Sequence, residues 1–271
     1  VKFIIRLITE TKHSILRTED LAIGYRNKKK KIVIASKLNL SLPTGKLVCV
    51  LGKNGIGKST LLRTITKVQP KLSGKIFLGG REIEQISNAE LSKKMSLVLT
   101  ERAPENNLTV YELIALGRQP YTNWIGTLTE EDHKLIELAI NQTNINDLAP
   151  KKHYELSDGQ LQKVMIARAL SQNTEMITLD EPTAHLDIHN KIEIFKLLKK
   201  LTIELNKTIL ISTHEIHIAL QLADELWLMK QAEIVSGKTS DLVANKSVAN
   251  LFESDLVKFN AKSKQFIIND Y

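Results

Sequence analysis

Eight consecutive residues, Gly52-Lys53-Asn54-Gly55-Ile56-Gly57-Lys58-Ser59, fit the pattern G-x-x-x-x-G-K-[ST] in full. Glycines in this order let successive backbone N–H groups turn inward around phosphate oxygens. A helix expected to begin near Lys58 adds the positive end of its dipole. The Lys58 ammonium reaches the outer phosphates of a nucleoside triphosphate, and the Ser59 hydroxyl is a ligand for Mg²⁺. Thr60, next in the same helix start, belongs to the same nucleotide-binding set.

A second group of chemical interest closes the run Met176-Ile177-Thr178-Leu179-Asp180-Glu181. A buried strand has no structural need for two acids at its end, and desolvating them is costly. A cation offsets that cost. Asp180 is the candidate Mg²⁺ carboxylate, and Glu181 the candidate base that orients and deprotonates an attacking water. A third feature is Leu156-Ser157-Asp158-Gly159-Gln160. Ser157 with Gln160 three residues on forms a capping-box pattern, so a helix start is expected there, with free N–H groups facing an anion.

The elements that must hold these groups follow from periodicity and punctuation. Ile15–Tyr25 and Ile32–Leu42 read as extended. Lys46–Leu51 is a β-rich apolar run ending at the glycine cluster, and Lys58–Lys67 reads as a helix. Further strands are expected at Ser73–Leu78, Met95–Leu99, Glu175–Leu179, Thr208–Ser212 and Glu225–Met229. Helices are expected at Ile188–Leu205 and Glu215–Ala223. Ser87 with Glu90, Thr109 with Glu112 and Thr129 with Asp132 mark further helix starts. The stretch from Arg102 to Glu155 has few strand signals, three prolines and two of those starts, so a mostly helical insert is expected. Alternation of strand and helix on either side of it implies a parallel sheet with helices on both faces, where ligands bind at strand carboxyl ends.

With these motifs in place, the sequence resembles the ATP-binding cassette (ABC) ATPases, from about Ile15 to about Phe252. Leu156–Gln160 is similar to the family signature L-S-G-G-Q, whose helix start meets the γ-phosphate bound by a second subunit. The resemblance gives Ser157 and Gly159 that role. Ala184-His185-Leu186-Asp187 resembles the loop that passes between the two nucleotide sites. His214 resembles the switch histidine at the γ-phosphate, and Tyr25 the aromatic residue that stacks on adenine. Two departures stand out. The family's glutamine after the Met95–Leu99 strand is replaced by Thr100, followed by Glu101, and neither offers an amide's mixed donor and acceptor set. Asp158 replaces a signature glycine, and its carboxylate is expected to cap or face solvent.

The fold implied is an α/β P-loop NTPase core: a mostly parallel sheet flanked by helices, an N-terminal antiparallel β subdomain and an inserted α-helical subdomain. The ATPase domain is expected over 15–255, with its helical insert at about 102–170, and a short C-terminal tail over 256–271. The resemblance further implies ATP and Mg²⁺ as bound species and an ATP-sandwich homodimer, because one chain carries one phosphate loop and one signature. It implies membrane-spanning permease subunits as partners, and a substrate-binding protein indirectly. Leu108–Leu113 with Leu116–Tyr121 is similar to a segment of importers of iron–siderophore, haem and cobalamin. The resemblance therefore points to chelate uptake, from the cytoplasmic face of the cell membrane. A soluble single-cassette ATPase of translation or DNA maintenance is the alternative. Ribosome-binding cassettes usually come two to a chain, and DNA-repair cassettes are split by long coils.

Composition is consistent with this. The chain of 271 residues is 42% hydrophobic and 25% charged, which excludes disordered and collagen-like classes. No apolar run approaches the roughly 20 residues of a membrane-spanning helix, and no signal peptide is expected. The net charge of +8 owes much to Lys28–Lys31, read as a solvated hairpin loop. Contact with acidic lipid or nucleic acid is the alternative for that run, but no aromatics interleave there to form a single-strand stacking platform, and nucleic acid is not expected as a partner. The single cysteine, Cys49, lies in an apolar run and reads as a small buried hydrophobe.

Overall fold

The computed structural model describes residues 14–27, 30–99, 107–253, 256–261 and 263–268. The chain divides into two compact units: residues up to Ile86 together with those from Leu210 onward, and Ser87–Ile209.

In the first unit, β1 (Ser14–Asn27) pairs antiparallel with β2 (Lys30–Leu38), with Tyr25 opposite Ile32 and Asn27 opposite Lys30. Lys30 and Lys31 of the lysine-rich stretch, both exposed, thus stand on β2 rather than in a loop; Lys28 and Lys29 lie outside the described residues. β3 (Ser41–Pro43) also pairs with β1. β4 (Leu47–Leu51) is buried at all five positions, Cys49 included, as a continuous apolar run requires. It leads through the glycine loop into α1 (Lys58–Ile65), six of whose eight residues are buried. The helix stops two residues short of the expected Lys67, which sits at φ 62° in the left-handed region. β5 (Ser73–Leu78) pairs with β1, and β6 (Arg81–Glu82) with β5, completing an antiparallel N-terminal sheet.

In the second unit, Ser87 caps α2 (Asn88–Leu91), a single turn. β7 (Met95–Val98) pairs parallel with β8 (Met176–Asp180). Between them lie α3 (Val110–Ala115), a 3₁₀ stretch at Leu116–Tyr121, α4 (Glu130–Gln142) and α5 (Asp158–Ser171), which form the expected helical insert. Thr109 and Thr129 close full capping boxes with Glu112 and Asp132. The insert is braced by a buried ion pair. Arg118 Nε donates to Asp132 Oδ1 at 2.8 Å and Arg118 Nη1 to the Ser171 carbonyl at 2.9 Å. The Tyr121 ring lies 4.0 Å from the guanidinium. Burial works to raise the Asp132 pKa, but the Thr129 amide and hydroxyl and the Arg118 cation outweigh it and hold the carboxyl below its usual range. α6 (Ile188–Glu204) then packs on α5, where Lys163 Nζ meets Glu193 at 2.7 Å.

β9 (Thr208–Thr213), buried throughout, carries the chain from the second unit back into the first. There α7 (Ile216–Leu222) precedes β10 (Glu225–Lys230), which runs parallel to β4 and antiparallel to β11 (Glu233–Lys238). α8 (Thr239–Ala244) and α9 (Ser247–Phe252) follow. The last described elements are a hairpin of β12 (Val257–Asn260) and β13 (Gln265–Ile268). Phe266 of this hairpin lies 5.9 Å from the His217 ring of α7, and Lys264 Nζ donates to the Leu220 carbonyl at 3.3 Å.

Candidate functional site

The phosphate loop begins where β4 ends. Gly57 caps α1 from the left-handed region at φ 113°, and a Cβ there would come within 2.4 Å of Ile34 Cγ2. Only glycine fits that position. Lys53, Asn54 and Gly55 form the exposed rim, and Ile56 N closes the turn on the Lys53 carbonyl at 3.3 Å. Gly52, by contrast, is buried against the Met229 backbone. Lys58 is 4% exposed, and its ammonium donates to the Gly52 carbonyl at 3.2 Å. The cation is thus drawn back over the loop whose amides it follows. Ser59 is half-buried and Thr60 buried at the same helix start. Tyr25 is half exposed on β1, with its hydroxyl 2.8 Å from Thr60 Oγ1. An open hollow of about 240 Å³ adjoins it, lined by Gly24, Tyr25, Arg26 and Gln69–Leu72. His214 follows β9, exposed, with Nε2 3.0 Å from Glu215 Oε1. The Glu215 amide donates to Thr213 Oγ1 at 3.0 Å and fixes that turn.

The remaining candidates lie in the second unit. Asp180 is the last residue of β8 and only 3% exposed. Glu181, half-buried, stands at φ 46°, a left-handed conformation that costs a non-glycine residue about 1–3 kcal/mol. Its carbonyl accepts from the Ala184 amide at 3.1 Å, so a tight turn holds it there. His185 is also left-handed, at φ 66°. Ser157 caps α5 in a capping box: the Gln160 amide donates to Ser157 Oγ at 3.3 Å, and the Ser157 amide to Gln160 Oε1 at 3.0 Å. Asp158 is exposed, the solvent-facing option anticipated for it. Thr100 and Glu101, the other departure, lie outside the described residues.

One contributor, Asn190, escaped the sequence reading, although Asp187 beside it did not. Asp187 caps α6, accepting from the Asn190 amide at 2.9 Å and from Asn190 Nδ2 at 2.6 Å. These bonds lower the Asp187 pKa. The Asn190 side chain so held covers Gly159, where an added Cβ would come within 2.5 Å of Asn190 Oδ1. The capped first turn of α6 therefore grips the start of the signature helix. An aspartate three residues before an asparagine is a helix-cap signal, but nothing local says what the asparagine covers.

The donors suit a triphosphate and a hard cation. In the first unit, loop amides, the Lys58 ammonium and the Ser59 hydroxyl are groups of the kind that phosphate oxygens and Mg²⁺ take; in the second, the Asp180 carboxylate is an oxygen ligand of the same kind. Among the described residues no cluster of three or more His, Cys, Asp or Glu side chains forms a self-contained metal site.

Comparison with known proteins agrees. Residues 35–184 match the ABC transporter family. The chain is 40% identical over 237 residues to an uncharacterized ABC transporter ATP-binding protein of Methanocaldococcus jannaschii, covering 87% of this chain and 80% of that one. It is 34% identical over 241 residues to the iron(3+)-hydroxamate import ATP-binding protein FhuC of Bacillus subtilis, covering 89% and 88%. Among solved structures it is similar to a dimeric ATP-binding cassette in a post-hydrolysis state bound to ADP and Pi. The TM-score there is 0.71 at 27% identity, covering 83% of this chain and 98% of that one. The chain belongs to the ABC transporter family of ATP-hydrolysing cassettes.

Proposed function

We propose that this chain is the ATPase subunit of an importer for iron–siderophore, haem or cobalamin-type chelates. Likeness over nearly nine-tenths of the chain to an iron(3+)-hydroxamate import protein carries the cargo class. Residues 15–255 form the cassette, with its helical insert at about 102–170 and a tail at 256–271. Two copies close over ATP, as the likeness to a dimeric cassette supports. Among the described residues no helix is long and apolar enough to cross a membrane. Likeness to import ATP-binding proteins supports a place for the subunit on permease partners at the cytoplasmic face of the cell membrane, supplied by a substrate-binding protein.

In this reading the amides of Gly52–Gly57 and the Lys58 ammonium neutralise the phosphate chain, and Tyr25 supports the base. Ser59 and Asp180 are assigned to Mg²⁺, which supplies charge neutralisation at the outer phosphates. Glu181 orients the attacking water and accepts its proton, and His214 steadies the γ-phosphate. Ser157 and Gly159 present the α5 N-terminus to the nucleotide of the second copy. The strained backbone at Glu181 is a feature seen where side-chain aim matters more than local stability. Co-purification of the tagged chain from membranes tests the importer reading. Recovery of a many-span permease of chelate uptake supports it, and recovery of ribosomes or DNA-repair proteins instead refutes it.

A further inference from the structure

A stacking platform needs only a flat ring, and phenylalanine would serve. Tyr25 carries more. Its hydroxyl is aimed at the third residue of α1, 2.8 Å from Thr60 Oγ1. Thr60 is 4% exposed while Tyr25 is 51% exposed, so the bond runs from the rim into the helix start. The strand is anchored just before the ring, where Gln69 Nε2 donates to the Gly24 carbonyl at 2.6 Å. The Thr60 backbone carbonyl is occupied separately by Thr64 Oγ1 at 2.7 Å. A threonine hydroxyl has one proton and two lone pairs. If Thr60 accepts the Tyr25 proton, its own proton is left for an anion at the N-terminus of α1.

We propose that the Tyr25–Thr60 hydroxyl pair is a positioning link that joins the base platform to the phosphate loop. Thr60 fixes the angle of the Tyr25 ring, and a phosphate oxygen that takes the Thr60 proton strengthens the bond from Tyr25. The two ends of the nucleotide are thereby bound as one unit. This rests on the nucleotide-binding reading above.

The test is a double-mutant cycle on the full chain, with affinities by calorimetry for ADP and for base-free pyrophosphate. Tyr25→Phe keeps the ring and removes the hydroxyl. It should weaken ADP about fivefold, the worth of one neutral hydrogen bond, and weaken pyrophosphate by a smaller factor, through the coupling between the two bonds alone. Thr60→Val should weaken ADP at least as much, and the double variant no more than Thr60→Val alone. Thr60→Ser, which retains the hydroxyl and guards against loss of fold, should restore ADP affinity. Wild-type ADP affinity in Tyr25→Phe, or penalties that multiply in the double variant, overturns the link. So does equal loss of pyrophosphate in Tyr25→Phe. A wild-type chain that binds neither ligand defeats the nucleotide reading itself, and the link with it.

Discussion

Removal of Arg118 tests whether a buried ion pair, rather than apolar contact alone, holds the helical insert together. Arg118 and Asp132 are each under 5% exposed. Breaking a buried pair costs about 3–5 kcal/mol because one charge stays uncompensated. Arg118→Met keeps the side-chain volume and removes the guanidinium. Asp132 still accepts from the Thr129 amide at 2.8 Å and hydroxyl at 2.7 Å, which places the loss at the lower end, about 3 kcal/mol. Asp132→Asn leaves the cation without its partner and should cost a similar amount. The double variant should cost about 2 kcal/mol less than the sum of the two, since both partners are then neutral. The assay is native-state hydrogen exchange of the α4 and α5 amides, which reports this unit apart from the other. The pH dependence has a definite sign. The Asp132 pKa is lowered in the folded state, so its contribution is present above the usual carboxylate range and fades as pH falls through the folded value. Arg118→Met should flatten that acid dependence. Exchange within about 0.5 kcal/mol of wild type in Arg118→Met, or strictly additive losses, would refute this account of the insert.

Other perturbations address the site directly. Lys58→Ala should abolish nucleotide binding, measured by calorimetry; unchanged affinity would remove the phosphate loop from the site. Glu181→Gln should keep ATP affinity and lower turnover about 10²–10⁴-fold, and near-normal turnover would deny Glu181 the role of base. Gly159→Ala forces the Asn190 side chain off the signature helix and away from Asp187. It should lower kcat with little change in ATP affinity, and relaxing the crowd with Asn190→Ala should not restore kcat, because the grip is then lost too. Full activity in Asn190→Ala would make that contact incidental.

Much of this site is visible in the chain because its chemistry demands rare residue types in fixed order. A phosphate loop needs glycine where φ is positive or backbones crowd, and Gly57 stands in such a place. Strands buried on both faces betray themselves as apolar runs, so β4, β8 and β9 were legible to within about a residue. Helix starts at Ser87, Thr109, Thr129 and Ser157 were legible from two polar residues three apart, because the capping box is local physics. What stayed hidden was either weakly patterned or non-local. β11 is largely exposed, with no strong alternation, and α8 and α9 are too short for a 3.6-residue period to show. Asp132 read as a cap alone, since its buried partner Arg118 comes from the 3₁₀ stretch before α4. Asn190 over Gly159 and Thr60 beneath Tyr25 are contacts between elements distant in sequence, and no spacing rule encodes them.

The central claim is that two copies of this chain enclose ATP between the phosphate loop of one and the capped signature helix of the other. Light scattering of the Glu181→Gln chain with and without ATP and Mg²⁺ tests it most directly. A doubling of mass on adding ATP, absent with ADP and absent in a Glu181→Gln chain that also carries Ser157→Arg, is the predicted result. A chain that binds ATP yet keeps the same mass with and without it would contradict the account.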